Sequence, residues 1–430
     1  MPASRHRPAG AAPRRRFAPD SVAGPVRVLA IPPPCRAWLT VSNDPDNTLL
    51  RDWQELHECL WQELALPFGD ALFVRSFNNN LPGQVNLHDH PHIAAAHAHD
   101  TLHAWGDYVH ARTRGFDRAD ALEAIALLKA HGLRPRVWVD HSTHPQNMLH
   151  NATGGSTPRT VDGSGYVYES FAYTLDLAAE LGIRYVWDGA LTKVLGQDAP
   201  VSAREWYRHR ASSPAGAAFL LAWHGLSRLR IARWGRSLVT HDDRSNRQYF
   251  AHRFGDGRTL YCFRRYGTWD DADIDGLGTL IAPARIDALV ERQGTCIVYT
   301  HLGKRQAARR DDRAHIPPAT RAALGNLRRQ ADAGVLKLSS VSGLLDYLVV
   351  RDAIAVSAGG DWLDFRPDGI RFPDLTAADL AGREFGLRIA DPALAGRLEV
   401  RIAGRKAAAE LREHGDQYYT VTFPAENADA

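Results

Sequence analysis

The chain has 430 residues, of which 44% are hydrophobic and 23% charged, so it can form one large domain plus a smaller one. The formal net charge is +3, but five arginines precede the first acidic residue, Asp20, so the remainder carries about −2. A near-neutral body has no broad basic surface, and we therefore expect no nucleic-acid partner.

The segment from Met1 to about residue 25 is rich in Ala, Pro, Gly and Arg and is predicted to be a disordered basic arm. It lacks the apolar stretch of a signal peptide, and no run of about 18 apolar residues occurs in the chain, so we expect no membrane span. The four cysteines are scattered without a CxxC pair, as in proteins of a reducing compartment. These features predict a cytoplasmic protein, and they leave its oligomeric state open, a homo-oligomer included.

Helices and short apolar strands alternate along the first half of the chain. Apolar runs predict strands over 36–41, 71–77, 135–139, 183–187 and 296–300, and helical periodicity predicts helices over 48–66, 117–131, 169–181 and 281–292. Strands that alternate with helices are typical of a parallel α/β fold.

Two regions depart from this alternation. Between about 191 and 278 tryptophans and arginines are frequent and hairpin-like runs occur, which predicts an insertion in the barrel. Beyond about 346 short apolar segments are separated by turn residues, which predicts a small antiparallel β domain over 347–430. The barrel itself is expected over 26–346.

Polar clusters follow the ends of the predicted strands, which is where α/β barrels carry their active sites. Asp44 and Asp46 come directly after the first strand. His99 and His103 have the spacing of two ligands on one helical turn, and a carboxylate can complete a three-ligand metal site with open positions. One of the two aspartates would bind the metal and the other would accept a proton from water, and the residues alone leave the choice open.

Other strand ends supply further candidates. His301 follows an apolar strand and is the candidate general acid. Asp188 is a candidate for orienting the catalytic groups, and the candidate substrate-binding residues at the ends of two strands are Asp140, His141, His144, Asn147 and Trp187. His88 and His90 form an H-x-H pair like that of metal-dependent amidohydrolases, but Pro91 breaks its register, so we rank it below His99 and His103.

The order of these motifs resembles that of the polysaccharide deacetylases, the NodB-homology family (carbohydrate esterase family four). Thr40-Val-Ser-Asn-Asp-Pro-Asp46 stands where that family has Thr-Phe-Asp-Asp-Gly-Pro, and His99-Asp-Thr-Leu-His103 has the spacing of its second motif. Val186-Trp187-Asp188 and Tyr299-Thr-His301 resemble two later motifs, whereas the third motif is absent. The chain is similar to a divergent member.

This resemblance implies a distorted (β/α)7-type barrel and a metal-dependent hydrolase of an amide or ester, such as an acetyl group on a carbohydrate or glycoconjugate. It implies a divalent cation, preferably zinc, held by Asp44, His99 and His103, with Asp46 as the base and His301 as the acid. Asn43 occupies the family's base position, which favours the alternative of a non-catalytic carbohydrate-binding protein. A different metal-dependent barrel amidohydrolase is the other alternative.

Overall fold

The computed structural model describes most of the chain outside its termini and several internal segments. The described residues are 24–96, 99–108, 115–140, 174–187, 189–199, 246–254, 256–268, 272–303 and 316–424, with the backbone of four short strands between 156 and 172 and of residues 215 and 218. The basic arm predicted over 1–25 therefore lies almost entirely outside the described residues.

Strands are numbered here in chain order. They are β1 Val26–Val28, β2 Ala37–Asn43, β3 Gly69–Leu72, β4 Arg75–Ser76, β5 Thr101–His103, β6 Gly106–Asp107, β7 Val137–Val139, β8 Ser156–Thr157, β9 Thr160–Val161, β10 Val167–Tyr168, β11 Phe171–Ala172, β12 Tyr185–Trp187, β13 Leu191–Thr192, β14 Tyr249–Arg253, β15 Thr259–Phe263, β16 Arg265–Tyr266, β17 Thr295–Thr300, β18 Leu336–Leu338, β19 Ile354–Val356, β20 Trp362–Phe365, β21 Glu384–Ile389, β22 Glu399–Ile402, β23 Arg405–Lys406, β24 Glu410–Glu413 and β25 Tyr418–Thr422.

The helices lie between these strands. The α-helices are α1 Leu50–His57, α2 Arg118–Ala130, α3 Leu175–Leu181, α4 Ile274–Leu280, α5 Pro283–Arg292, α6 Pro318–Asp332, α7 Val341–Ala353, α8 Ala377–Leu380 and α9 Pro392–Ala395, with a π-helical turn at Glu58–Glu63 and a 3-10 turn at Pro91–Ala95. A capping box explains where α2 begins. The Asp117 carboxylate accepts hydrogen bonds from the backbone N–H groups of Ala119 and Asp120, and the Asp120 carboxylate accepts one from the backbone N–H of Asp117.

A curled, half-barrel sheet of eleven strands forms the centre of the molecule. Its order is β13-β16-β17-β2-β3-β5-β7-β12-β15-β14, and β18 also pairs with β2. All described pairings are parallel except that of β14 with β15. Its inner strands are buried along their whole length, as in β2, β7 and β17. The expected mixed α/β fold with further antiparallel sheets is confirmed.

The predicted insertion over 191–278 is too long at both ends. β13 at its start and β14, β15 and β16 near its end all belong to the large sheet. Their apolar runs resemble hairpins in sequence because β14 and β15 pair antiparallel, but β15 also continues the parallel sheet beside β12. The tryptophans of the segment between these ends lie outside the described residues.

Two four-stranded sheets follow the large sheet. One has the order β1-β21-β25-β24 and is antiparallel, and the other has the order β19-β20-β22-β23. The strand β1 comes from the start of the described chain, so this sheet joins both ends of the described sequence. The helix α7 runs through the boundary predicted at residue 346, with Asp346 in its buried interior.

Within the described ranges, no helix combines the length and the apolar character needed to cross a bilayer.

Candidate metal centre

Three strands of the large sheet carry the central polar residues to one edge. The strands β2 and β17 pair in parallel, with Asn43 beside Thr300 at their carboxyl ends. Asp44 and His301 are the next residues, and the backbone N–H of Asp44 extends the ladder by donating to the Thr300 carbonyl (2.9 Å). His103 is the last residue of β5, two strands away on the other side of β2. Parallel pairing therefore brings distant parts of the chain together.

The Asp46 carboxylate lies at the middle of this group. Its Oδ2 atom is 3.1 Å from Nε2 of His103 and 3.1 Å from Nε2 of His301. Oδ2 of Asp44 is 3.7 and 3.9 Å from the same two nitrogen atoms. All four side chains are buried. The ligand atoms of Asp44, Asp46 and His301 lie within 4.8 Å of one another, so this buried group could bind a metal ion.

A buried guanidinium pairs with Asp44. Arg265, in β16, donates from Nη1 to Oδ1 of Asp44 at 2.8 Å and is fully buried. Its guanidinium carbon lies 3.6 Å from the centre of the Trp187 ring and 4.9 Å from that of Tyr299. Cation–π contacts with these two neighbouring aromatic rings help to hold the guanidinium in place. Arg265 therefore fixes one oxygen of Asp44.

The donor set fits a divalent cation. Carboxylate oxygen and imidazole nitrogen are ligands for zinc and similar divalent transition metals. Two ligand atoms that each lie about 2.1 Å from one ion are roughly 3.0–3.4 Å apart, which agrees with the 3.1 Å distances around Asp46. Among the described residues, two buried carboxylates lie beside one arginine here, and carboxylates in buried places are usually paired or coordinate metals.

Packing orients both imidazoles. The His103 ring stacks on Phe73 with a centroid distance of 4.7 Å. The backbone N–H of His301 donates to the Ala272 carbonyl, and the His301 Nδ1 atom is 3.2 Å from the same oxygen. A ring nitrogen held in this way directs the other nitrogen towards the carboxylates, as the outer contacts of metal-binding histidines do.

The Tyr299 side chain lies next to His301 and is uncharged. Burial, followed by the nearby charge of Asp44, holds its pKa well above the ordinary value. Its hydroxyl lies 3.5 Å from Nε2 of His301. Tyr299 is therefore a phenol at neutral pH and not a base.

Asn43 faces away from the central carboxylates. Its Nδ2 donates to Oδ1 of Asp70 at 2.5 Å, and its Oδ1 accepts from the backbone N–H of Leu302 at 2.8 Å. Asp70 also accepts from the Trp53 indole at 2.7 Å; burial raises the Asp70 pKa, although these two hydrogen bonds act in the opposite direction. Asn43 thus connects β3 with the residue after His301, next to Asp44.

The prediction that His99 and His103 share a helical turn is wrong. The segment Thr101–His103 is the strand β5, and extended backbone separates residues four apart by about 13 Å instead of stacking them on one face. Nε2 of His99 lies 2.8 Å from the Ile93 carbonyl oxygen. The histidine that joins His103 beside Asp46 is His301, from the other side of β2.

The remaining predicted residues have different outcomes. Trp187 ends β12 and lies under the Arg265 guanidinium, whereas Asp140 is buried after β7 and accepts a hydrogen bond from the Trp138 indole. Asp188, His141, His144 and Asn147 lie outside the described residues. In the alternative H-x-H pair, the His88 side chain is 51% exposed and contacts Asp89.

Sequence reasoning missed Arg265 and Tyr299. Arg265 fell within the predicted insertion, and Tyr299 was part of an apolar strand. The signal that could have identified Arg265 is its position two residues after the apolar run Thr259–Phe263, where a buried cation requires a carboxylate partner.

Comparison with protein-family models, with curated proteins and with solved structures finds no match for this chain.

Proposed function

We propose that the protein is a metal-dependent hydrolase that cleaves an amide or ester bond at this centre. The observation that carries the proposal is the position of Asp46 between the Nε2 atoms of His103 and His301, with the arginine-paired Asp44 beside them. We further propose that the curled sheet is a divergent distorted barrel of the polysaccharide deacetylase type, because its parallel strands carry Asp44, Asp46 and His301 at their carboxyl ends in the order of that family's first and last motifs.

The two aspartates have different surroundings, which suggests a division of roles. Asp46 lies closest to both imidazoles, and these three side chains are the proposed ligands of the cation, zinc being the preferred ion. Asp44 has one oxygen held by Arg265 and the other turned to the same space, so it is the proposed proton acceptor. When bound, the cation would supply Lewis-acid polarisation of a carbonyl oxygen and of water.

Asp44 would then act first as general base and later as general acid. It accepts a proton from the attacking water and passes that proton to the leaving nitrogen or oxygen. Arg265 keeps the carboxylate in place during both transfers because its own position is fixed by Trp187 and Tyr299. In this assignment His301 is a ligand and not the general acid that its strand-end position predicted.

The side chain of Asn43 weakens the argument for a non-catalytic protein. That argument held that Asn43 replaces a lost base, but its amide is engaged with Asp70 and Leu302. Asp44 and Asp46 supply two carboxylates without it.

The test combines metal analysis with hydrolysis. The purified chain, loaded with zinc, is expected to hold one ion per chain and to hydrolyse 4-nitrophenyl acetate or an acetylated sugar. The matched pair His103→Gln and His99→Gln separates the assignments: the first should lose metal and activity together, and the second should keep both. Equal metal and activity in these two variants would eliminate the proposed ligand set. Intact metal with no hydrolysis of acetyl esters or amides would favour the non-catalytic alternative.

A further inference from the structure

One side of the Arg265 guanidinium has no part in holding Asp44. The Nη1 atom donates to Oδ1 of Asp44 at 2.8 Å. The Nε and Nη2 atoms are also buried, and among the described residues neither has a hydrogen-bond acceptor. These two nitrogen atoms carry the parallel N–H groups on one side of the planar guanidinium. We call this pair of donors the free edge of Arg265.

Donors in this situation need an explanation. The Arg265 side chain is 0% exposed, so bulk water does not reach the free edge. An arginine does not lose its charge in a protein, so its donors cannot be removed by deprotonation. Nearly all buried polar groups have a partner, because a buried donor without one keeps the full cost of losing its water. The free edge therefore indicates an acceptor that the described part of the chain does not supply.

The free edge lies beside the candidate metal centre. It belongs to the same rigid planar group as Nη1, which contacts Asp44 directly. The other oxygen of Asp44, Oδ2, is 3.7 Å from Nε2 of His103 and 3.9 Å from Nε2 of His301. A group bound at the free edge would thus be separated from the centre only by the guanidinium and the Asp44 carboxylate.

The shape of the free edge matches a carboxylate. Two parallel N–H groups pair with the two oxygens of one carboxylate, whereas a single carbonyl or hydroxyl oxygen matches them less well. The aromatic rings of Trp187 and Tyr299 lie against the guanidinium, and a charge-assisted hydrogen bond is stronger where such groups exclude water. A phosphate also pairs with arginine, but its higher negative charge would lie close to Asp44.

We propose that the free edge of Arg265 binds a carboxylate of the substrate, so that the protein prefers amides or esters that carry a carboxylate near the bond that is cleaved. The inference rests on the proposed hydrolase function for that bond. It gives Arg265 a role in specificity in addition to its contact with Asp44.

Two small amides that differ at one group test the inference: N-acetylglycine, which has a carboxylate, and N-acetylglycinamide, which has a neutral carboxamide in its place. Their affinities for the zinc-loaded full chain are measured by ligand-observed NMR titration at neutral pH. We expect N-acetylglycine to bind more tightly by about 10- to 100-fold, the range for hydrogen bonds to a charged group. Equal affinities, which would indicate water at the free edge, would overturn the inference. Tighter binding of the carboxamide, or no binding of either compound, would also overturn it.

Variants of Arg265 distinguish the free edge from the metal as the carboxylate site. Arg265→Met should reduce the preference to less than about 3-fold. Arg265→Lys keeps a cation beside Asp44 but lacks two parallel donors, so it should also lose most of the preference and serves as the test if the first variant does not fold. The control is Arg264→Met, which removes a neighbouring buried arginine that donates to the Arg247 carbonyl at 2.8 Å, and it should keep the preference. A preference that survives in both variants of Arg265 would assign the carboxylate to another site and contradict the proposal.

The same spectra separate this inference from the proposed function, because they also record the release of acetate. Preferential binding of N-acetylglycine without hydrolysis of any acetyl amide or ester would remove the hydrolase proposal alone. Hydrolysis of both compounds with equal affinities would remove the carboxylate proposal alone.

Discussion

Two polar clusters lie at opposite ends of the strands of the large sheet, the carboxyl edge and the amino edge, and they differ in their proportion of carboxylates to arginines. At the carboxyl edge, Asp44 and Asp46 share one arginine and two histidines. At the amino edge, the single carboxylate of Asp346 in α7 accepts from three arginines and a phenol: Arg136, Arg371, Arg383 and Tyr185.

In the amino-edge cluster, both oxygens of the Asp346 carboxylate accept hydrogen bonds. Arg136 directly precedes β7 and Tyr185 begins β12, so Asp346 holds α7 against the start of two strands. Its arginines are partly exposed, which leaves their excess positive charge to solvent. Among the described residues, the carboxyl-edge cluster instead groups two carboxylates with one arginine and two histidines, and all five side chains are buried. The first arrangement has the composition of a structural ion-pair network, and the second has carboxylate and imidazole ligands of the kind that bind a cation.

Removing Asp46 should have the largest effect on function. In Asp46→Asn we expect loss of bound metal and a decrease in kcat/KM of more than about 100-fold. Mutating a residue that only supports a metal ligand decreases activity by up to about 100-fold, so removing a ligand itself should decrease it more. Elemental analysis and ester hydrolysis measure both. Retained metal with full activity would show that the central carboxylate is not a ligand.

Asp346→Asn should affect stability instead. Three arginines would face a neutral amide, and the free energy of unfolding should decrease by about 2–3 kcal/mol, less than for a fully buried pair because the arginines are partly exposed. Urea unfolding gives the value. The metal content per folded chain should not change. A loss of metal in this variant would show that the amino-edge cluster is not purely structural.

Arg265→Met should have an intermediate effect on catalysis. The substitution removes the cation that orients Asp44 and leaves the proposed ligands in place, so kcat/KM should decrease about 10-fold while metal binding is kept. Because the buried Asp44 would lose its arginine partner, added zinc should raise the melting temperature more in this variant than in the wild type. An unchanged kcat/KM would remove the role of Arg265 in positioning the base.

The smallest effect is expected at Tyr299. Burial and the charge of Asp44 raise its pKa, so the phenol stays protonated through neutral and mildly basic pH. Tyr299→Phe should therefore leave the shape of the pH–rate profile unchanged between about pH 5 and 9. A basic limb that disappears in this variant would mean that Tyr299 titrates in the working range.

Much of the fold could be predicted from local pattern. The apolar run at 296–300 became β17, and the periodic, capped segment at 117–131 became α2, because burial and capping act within a few residues. Asp44, Asp46 and His301 were identified because strand ends in α/β sheets lie at one edge.

What the sequence pattern could not supply was the pairing of strands. The spacing of His99 and His103 suits a helical turn, but β5 is extended because Thr101 and Leu102 pair with Val137 and Trp138, more than thirty residues away. Likewise, the position of Arg265 beside Asp44 depends on the neighbouring order β16-β17-β2, which only the assembled sheet defines.

Anomalous diffraction at the zinc edge, from crystals grown with zinc, tests the centre most directly. The account predicts one strong peak about 2.0–2.2 Å from a carboxylate oxygen of Asp46 and from the Nε2 atoms of His103 and His301. A peak at His99 or at the His88–His90 pair, with none beside Asp46, would contradict it.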